Sequence, residues 1–211
     1  MEPEYIRANR VAYNATAEEF REKIGVRKAE TTRLVERFGS YIDRRFSTAN
    51  ILELGPGAGY ASYLLSEKGY QVKSIELSPN MAAIARETST QSEVIIGEFL
   101  KHDFTDVKFT GILAIAFIHL FPYQDARSVL NKVLLLLETN GIFYVSTTKH
   151  RKPGERYDKK DNFREAVKRY RRRYTKKELE DLLLTTGFKI IEYSEEQDIE
   201  GRIWMNYITG K

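Results

Sequence analysis

The sequence predicts an α/β protein with a doubly wound sheet of seven strands, mostly parallel with an antiparallel last strand, and with helices on both faces. Three observations predict this fold. Short apolar strands alternate with helices of about ten or more residues, which is typical of right-handed βαβ units. A glycine-rich loop follows the first of these strands. The last two strands are joined by about nine residues, too few for a parallel crossover, so we expect them to pair antiparallel.

The elements follow one another without a linker, so we expect one domain over the 211 residues. Two stretches with apolar residues at helical spacing come first, at 3–24 and 28–46, and residues 1–48 are predicted to form a cap. The predicted strands are 50–54, 71–76, 93–96, 112–117, 142–147, 189–193 and 203–209. The predicted helices between them are 60–68, one that opens at Ser78-Pro79, 124–138 with a turn at Asn140-Gly141, and 175–186.

Composition excludes several classes of chemistry. The chain has no cysteine, which rules out disulfides, thiolate metal sites and cysteine nucleophiles, and we predict no metal site. No apolar run approaches the roughly 18 residues that span a bilayer. The acidic N-terminus has no apolar signal-peptide region. We therefore expect a cytoplasmic protein without a membrane partner, either a monomer or a homodimer.

Positive charge is concentrated in one segment. Residues 149–177 contain 14 Lys and Arg against four Asp and Glu, so this segment carries +10 and the rest of the chain −6 of the net +4. Such asymmetry indicates an anionic substrate or partner, and a solvated helix face is the alternative.

The glycine loop lies where a doubly wound sheet binds ligands, at the carboxyl end of the first strand. Gly55, Gly57 and Gly59 allow a tight turn and a close approach of the backbone to a ligand. Dinucleotide sites favour Gly-x-Gly-x-x-Gly, whereas here the sixth position is Tyr60, a bulky residue where close helix packing is needed. A glycine turn without a ligand is the alternative interpretation.

Carboxylates beside this loop favour a cationic nucleoside. Glu53 precedes the glycines and suits a cation better than a pyrophosphate, and S-adenosylmethionine carries an ammonium and a sulfonium. Glu76 ends the second strand, where it is predicted to accept the ribose hydroxyls. Near the adenine we expect Glu98 to accept the amino group and Phe99 to give a ring contact, although Phe99 also fits simple core packing. The remaining predicted cofactor-binding residues are Leu77, Ala116 and Tyr13.

These motifs resemble the class I S-adenosylmethionine-dependent methyltransferases, which implies a Rossmann-like fold, that cofactor and S-adenosylhomocysteine as product. Residues 51–59 are similar to the first motif of this class and residues 74–81 to its second-strand motif. Residues 137–143 occupy the place of a Leu-x-Pro-Gly-Gly turn but contain no proline and one glycine. The resemblance covers the chain from about Tyr13 onward.

A narrower resemblance involves residues 109–120, which are similar to a Phe-Asp-Gly-Ile-Trp-Ala-x-Ala-Ser-Leu-Leu-His-Val segment found in a group of small bacterial and fungal methyltransferases. The pairs 174–175 and 187–188 and the stretch 202–206 also resemble this group. Thr110 stands where the group has aspartate, and we expect that change to have a structural consequence only.

Methyl transfer is an in-line displacement, so the enzyme chiefly holds the acceptor close to the methyl group. His119 follows the fourth strand and is the candidate general base, with a structural histidine as the alternative. The resemblance implies that the first helix folds over the cofactor, which makes Tyr13 a second candidate catalytic residue. The alternative is that Tyr13 and Phe20 form an ordinary apolar stripe.

The acceptor is predicted to bind under the basic insertion at 149–174. The candidate substrate-binding residues are Lys149, Arg169, Arg173, Tyr174 and Trp204. We favour a small anionic metabolite bound by arginines. The alternatives are RNA, whose phosphates and bases suit the mixed basic and aromatic run at 169–174, and a cofactor-binding protein without catalysis. Against RNA, the chain has no appended RNA-binding module and lacks the Asn/Asp-Pro-Pro-Tyr/Phe motif after the fourth strand.

Overall fold

A computed structural model describes residues 2–159, 164 and 167–211. Its main sheet has seven strands in the order β3-β2-β1-β4-β5-β9-β8, and β9 alone runs antiparallel to its neighbours. The strands are β1 (Asn50–Leu54), β2 (Gln71–Glu76), β3 (Glu93–Ile96), β4 (Phe109–Ile115), β5 (Leu137–Thr148), β6 (Gly154–Lys159), β7 (Lys168–Arg173), β8 (Lys189–Gln197) and β9 (Ile203–Gly210). The predicted fold class is confirmed.

Helices cover both faces of this sheet. They are α1 (Glu4–Ala15), α2 (Ala17–Glu22), α3 (Lys28–Asp43), α4 (Tyr60–Glu67), α5 (Pro79–Thr88), α6 (Tyr123–Leu136) and α7 (Lys176–Thr186), with short 3-10 helices at Ile24–Arg27 and Ile118–Leu120. Side chains of α3 and α4 form the core against one face, and those of α6 and α7 form it against the other. None of the helices within the described residues is long and apolar enough to cross a bilayer.

The strand order places a switch point beside β1. The chain moves from β1 outward through β2 and β3 on one side, then returns to β4 and β5 on the other. The loops after β1 and β4 therefore diverge, which opens a crevice at the carboxyl ends of these strands.

The N-terminal region differs from the single helix predicted over 3–24. The chain breaks at Thr16, which has φ −104° and ψ 9°, and its hydroxyl donates to the Ala12 carbonyl oxygen at 2.8 Å. A threonine that satisfies the preceding turn in this way competes with the continuing helix. The break separates α1 from α2, so that α1 packs against β7 and α5.

The predicted turn at Asn140-Gly141 is also different. Helix α6 passes directly into β5 at Leu137, and Asn140, with φ 64°, lies in a bulge where the pairing with β4 shifts register. Strand β4 begins at Phe109, earlier than the predicted 112. The Thr110 hydroxyl bonds both the backbone N–H and the carbonyl of Asn50, so this residue fastens β4 to β1.

The basic insertion forms a hairpin of β6 and β7, joined antiparallel from the pair Gly154–Arg173 to the pair Lys159–Lys168. Part of the predicted insertion, at 160–163 and 165–166, falls outside the described residues. Arg164 donates to Glu19 and Glu22, so the hairpin also contacts α2.

Substitution of Gly111 tests how closely α3 packs on the sheet. A Cβ added there would lie 2.6 Å from the Phe38 Cζ and 2.7 Å from the Ile42 Cδ1, inside the buried core. We expect Gly111→Ala to lower the free energy of unfolding in urea by about 1–3 kcal/mol. The control is Gly154→Ala, because a Cβ at that position meets nothing within 4 Å. Equal stabilities of the two variants would contradict this account of the packing.

Candidate active site

A cavity of about 320 Å³ lies at the crevice beyond β1, β2 and β4. Small-molecule sites occur at this point of doubly wound sheets. The predicted site residues that line it are Tyr13, Glu53, Gly55, Gly57, Glu76, Leu77, Glu98, Phe99, Ala116, His119, Arg169 and Trp204. The structure therefore brings the predicted cofactor and acceptor residues into one space.

The glycines of the loop have different surroundings. Gly55 has φ 67°, and a Cβ on it would lie 2.9 Å from the Phe117 ring. Gly59 has φ 83° and begins α4, where a Cβ would lie 2.8 Å from the Ala85 Cα of α5. Gly59 thus allows two helices to approach but does not line the cavity. Tyr60, which follows it, does line the cavity.

Glu53 and Glu76 are buried at the ends of β1 and β2, with 2% and 7% exposure. The Ser62 hydroxyl of α4 donates to Glu53 at 2.5 Å. Glu76 accepts from the backbone N–H of Ser78 at 2.9 Å and of Gly57 at 3.4 Å. Each carboxylate is thus held by hydrogen-bond donors that follow β1 or β2 in the chain.

Burial raises the pKa of both carboxyls. The pKa of Glu53 rises to about 7 because of burial and the nearby Glu76, although its bonds to Ser62 oppose the shift. Burial likewise raises the pKa of Glu76 to about 7, against its backbone hydrogen bonds. Since the folded state holds these protons more tightly than the unfolded chain, stability is lost as pH rises from about 4.5 through 7. A bound cation would relieve that cost.

The loop after β3 is held by a lysine from α6. The Lys132 ammonium donates to the carbonyl oxygens of Phe99 at 2.7 Å and of His102 at 2.5 Å. Glu98 forms an ion pair with Lys101 at 2.6 Å while lining the cavity. Phe99 is buried and also lines it, so the cavity contact and the core packing considered for this ring occur together.

The chain after β4 carries the candidate base. Ala116 ends the strand with a left-handed φ of 55°, and its N–H donates to the Ser146 carbonyl oxygen. His119 is 2% exposed, and its Nδ1 lies 2.9 Å from the Thr147 hydroxyl of β5. His119 lines the cavity and also forms a hydrogen bond within the protein. The interpretation as a general base and the interpretation as a structural histidine are therefore compatible.

Helix α1 joins the hairpin to the loop after β4. The buried Asn9 donates to the Leu120 carbonyl oxygen at 3.1 Å and accepts from the Tyr170 N–H at 2.9 Å. One turn later, the Tyr13 hydroxyl accepts a hydrogen bond from Arg169 at 2.9 Å. Both side chains line the cavity. Sequence reasoning missed Asn9, because nothing local in the chain indicates which distant backbone groups an amide will meet.

Two arginines of β7 face the cavity. Arg169 and Arg171 line it, whereas Arg172, on the opposite side of the strand, forms ion pairs with Glu155 and Glu178. Arg171 was not among the predicted residues. Side chains two positions apart on a strand lie on the same face, so a strand at this segment would have predicted Arg171 together with Arg169. The sequence patterns predict no strand in this basic run.

Three predicted acceptor residues do not line the cavity. Lys149 pairs with Glu195 at 2.7 Å, outside the site. The Tyr174 side chain is wholly buried in the core after β7. Arg173 lies two residues beyond Arg171 but is also absent from the cavity wall within the described part of the chain. These three residues are predicted to bind the acceptor only because they belong to the basic insertion at 149–174.

The sheet, the glycine loop and the two buried carboxylates are features of the S-adenosylmethionine-dependent methyltransferase class. A family model described as a methyltransferase domain matches residues 20–193. Since the match covers most of the chain, the protein belongs to this methyltransferase domain family. S-adenosylmethionine is the cofactor of the class, and the cavity suits a cationic nucleoside because two buried carboxylates, Glu53 and Glu76, line it beside the glycine loop.

Solved structures share this fold over nearly the whole chain. One is a Burkholderia thailandensis 1,6-didemethyltoxoflavin N1-methyltransferase with bound 1,6-didemethyltoxoflavin and S-adenosylhomocysteine, 19% identical, covering 99% of this chain and 89% of that one, with a TM-score of 0.79. Another is a Synechocystis magnesium protoporphyrin IX methyltransferase with bound S-adenosylmethionine (11% identity, 100% and 98% coverage, TM-score 0.74). The fold is also similar to that of the cyclase SpnF (14%, 85% and 80%, TM-score 0.67).

Curated relatives match part of the chain. A glycine/sarcosine N-methyltransferase of Parasynechococcus marenigrum is 30% identical over 101 residues, covering 44% of this chain and 36% of that protein. A methyltransferase of Bacillus cytotoxicus is 33% identical over 102 residues, 48% of either chain. The matches thus span about a third to a half of the length of these relatives.

Cofactor binding should release a proton at pH 6.5. If the cofactor ammonium binds beside Glu53, it lowers the raised pKa of that carboxyl, so the proton leaves on binding. We expect the affinity for S-adenosylhomocysteine to rise as pH increases from 5.5 to 7, by up to about tenfold per pH unit. Calorimetry in buffers of different ionisation enthalpy counts the protons. Glu53→Gln should weaken binding and reduce proton release, and wild-type binding without proton release would refute this electrostatic account.

Proposed function

We propose that this protein transfers the methyl group of S-adenosylmethionine to a small molecule whose anionic group is bound by Arg169 and Arg171. One observation carries the proposal. Two guanidinium groups of β7 line the same cavity as the glycine loop. Among the described residues, their side-chain partners are the hydroxyls of Tyr13, at 2.9 Å, and Thr148, at 3.4 Å, and no carboxylate forms an ion pair with either.

Burial makes these cations costly without a counter-charge. The pKa of Arg171 is lowered to about 10, chiefly by burial and next by the neighbouring Arg169. The buried Nε of Arg169 has no hydrogen-bond partner among the described residues, and the same is true of the Nε of Arg172, so the difference between them lies in their ion pairs. The other buried arginine of the strand, Arg172, is neutralised by two carboxylates. An anionic group of the acceptor would neutralise Arg169 and Arg171, as two carboxylates of the protein neutralise Arg172.

The residues around the crevice divide the remaining tasks. The cofactor, when bound, supplies an electrophilic methyl group on a sulfonium. In this proposal Glu53 faces its ammonium, Glu76 accepts from the ribose hydroxyls, and Phe99 contacts the adenine. These roles follow from a buried carboxylate on each side of the glycine loop and from the ring behind it.

His119 is proposed as the general base for an acceptor that is protonated at neutral pH. When Nδ1 donates to the Thr147 hydroxyl, the neutral imidazole has its lone pair on Nε2 and can accept a proton there. Tyr13 is proposed to position Arg169 through their hydrogen bond, rather than to exchange a proton itself.

The hairpin supports a small acceptor better than RNA. Two of its arginines face the cavity and a third is neutralised by carboxylates, so fewer of its charges are available to a phosphate backbone. Similar proteins are named for small acceptors, among them glycine and sarcosine and 1,6-didemethyltoxoflavin. The similarity to a cyclase leaves methyl transfer itself to be tested.

The first test follows radiolabelled methyl transfer from S-adenosylmethionine into fractionated cell extract. We expect label in a ribonuclease-resistant, low-molecular-weight, anionic fraction. Arg171→Met should lower transfer at limiting extract by about 10-fold or more, because charge-assisted hydrogen bonds to the anion are lost. The matched control is Lys168→Met, which removes an exposed charge from the same strand outside this cavity. Label in RNA would favour the nucleic-acid alternative, and an equal effect of both variants would exclude the proposed anion site.

His119→Ala should lower turnover of the labelled fraction by about 10²- to 10⁴-fold, the usual contribution of a positioned base. The affinity for S-adenosylhomocysteine should change little, since the proposed role of the histidine is toward the acceptor and its Nδ1 is hydrogen-bonded to Thr147 of β5. Calorimetry measures the affinity and single-turnover transfer measures the rate. Full activity of the variant would exclude His119 as the base.

A further inference from the structure

Apolar side chains line the mouth of the cavity and are not used in the proposed mechanism. Ile199 is 79% exposed and Val26 56% exposed, and both belong to the cavity wall together with Ile24 and Trp204. They lie on two separate segments, the turn between β8 and β9 and the 3-10 helix before α3. Large apolar groups from distant segments that meet at a cavity mouth indicate a ligand with an apolar part.

Trp204 is held in one orientation. Its indole N–H donates to Asp198 at 2.8 Å, and that carboxylate also accepts from the Arg202 guanidinium at 2.7 Å. The Asp198 side chain is 2% exposed, so this carboxylate is shielded from water, whereas the Arg202 side chain is partly exposed. The Arg27 guanidinium lies 4.9 Å from the indole centroid and is itself paired with Glu30. The indole is already held in place before a ligand binds, so little side-chain entropy is lost when a ligand packs against it.

The cavity therefore has two chemically different parts. Its polar part is formed by Asn9 and Arg169, with 2% and 8% exposure, and by the half-buried Arg171. Its apolar part is formed by Trp204, which is 5% exposed, and by the exposed Val26 and Ile199. This division suits a ligand with an anionic group at one end and an apolar body at the other.

We propose that the acceptor is an aromatic or heteroaromatic acid, with its anionic group on Arg169 and Arg171 and its ring against Trp204 and Ile199. An aromatic ring is favoured over an aliphatic one because an indole and guanidinium groups both prefer a flat π-face. This inference rests on the proposed function, since it assigns the rest of the same acceptor.

The test uses three carboxylates as probes on the protein saturated with S-adenosylhomocysteine. Benzoate and cyclohexanecarboxylate have the same number of carbons and the same charge, but only benzoate is flat, and acetate supplies the anion alone. We expect benzoate to bind about 2- to 10-fold more tightly than cyclohexanecarboxylate, and acetate to bind weakest. Calorimetry measures the affinities. Trp204 is the only tryptophan of the chain, so benzoate should also change its emission.

Three variants separate the parts of the site. Ile199→Ser, on an exposed turn, should weaken both ring compounds and leave acetate unchanged. Trp204→Leu should remove the preference for benzoate over cyclohexanecarboxylate. Arg171→Met should weaken all three probes. The Ile199 variant keeps the test decisive if loss of the indole impairs folding.

The outcomes distinguish this inference from the proposed function. Cyclohexanecarboxylate binding as tightly as benzoate would overturn the aromatic assignment, because simple hydrophobicity then accounts for the mouth. If the three carboxylates bind with equal affinity and Arg171→Met weakens all of them, the proposed anion site is supported and the proposed site for the aromatic ring is wrong. If S-adenosylhomocysteine binds and no carboxylate does, both the anion site and the aromatic inference are wrong.

Discussion

The arrangement of this protein depends on two buried carboxylates held side by side at the ends of neighbouring parallel strands. Glu53 and Glu76 resist ionisation because they are buried, and each is held by groups from the chain beyond its strand: Ser62 for Glu53, and Gly57 and Ser78 for Glu76. These bonds fix the glycine loop and the starts of α4 and α5 relative to the sheet. A crevice lined by two carboxyl groups is thus built from backbone turns that the strand order brings together.

The acceptor side is built by a different principle, namely long-range contacts made by the N-terminal helix. Through Asn9, helix α1 satisfies a carbonyl beside His119 and an N–H of β7, and through Tyr13 it bonds Arg169. Near its C-terminal end, Asn14 accepts from the Ser78 hydroxyl at 2.6 Å, and the backbone N–H of the same serine donates to Glu76. One helix consequently touches the loop of the proposed base, the strand of the proposed anion site and the turn beside Glu76. The cofactor and acceptor sites share a structural support.

The fold and the site carry separate kinds of information about activity. Proteins with this architecture include methyltransferases with very different acceptors and a cyclase, so the sheet by itself specifies no substrate. In the proposed function, substrate choice depends on segments added to the sheet: α1, the hairpin of β6 and β7, and the turn between β8 and β9. Charge distinguishes their contributions, since Arg172 is neutralised internally while Arg169 and Arg171 face the cavity with hydroxyl partners.

The amino-acid sequence determined the sheet and the glycine loop, because both are local patterns: apolar strands, helix caps and glycines at positive φ act within a few residues. Its errors had two causes. Pairing with the distant β4 makes Asn140 part of a strand bulge instead of a turn, and the hydroxyl of Thr16 breaks the first helix by bonding the Ala12 carbonyl oxygen, a local competition that the apolar pattern does not show. Only the tertiary structure decided which basic residues face the cavity. It placed Arg171 in the cavity and Lys149 and Tyr174 outside it, because side-chain direction on β7 follows from its pairing with β6 and its contact with α1. The contact between β7 and α1 joins residues more than a hundred positions apart, which no local pattern records.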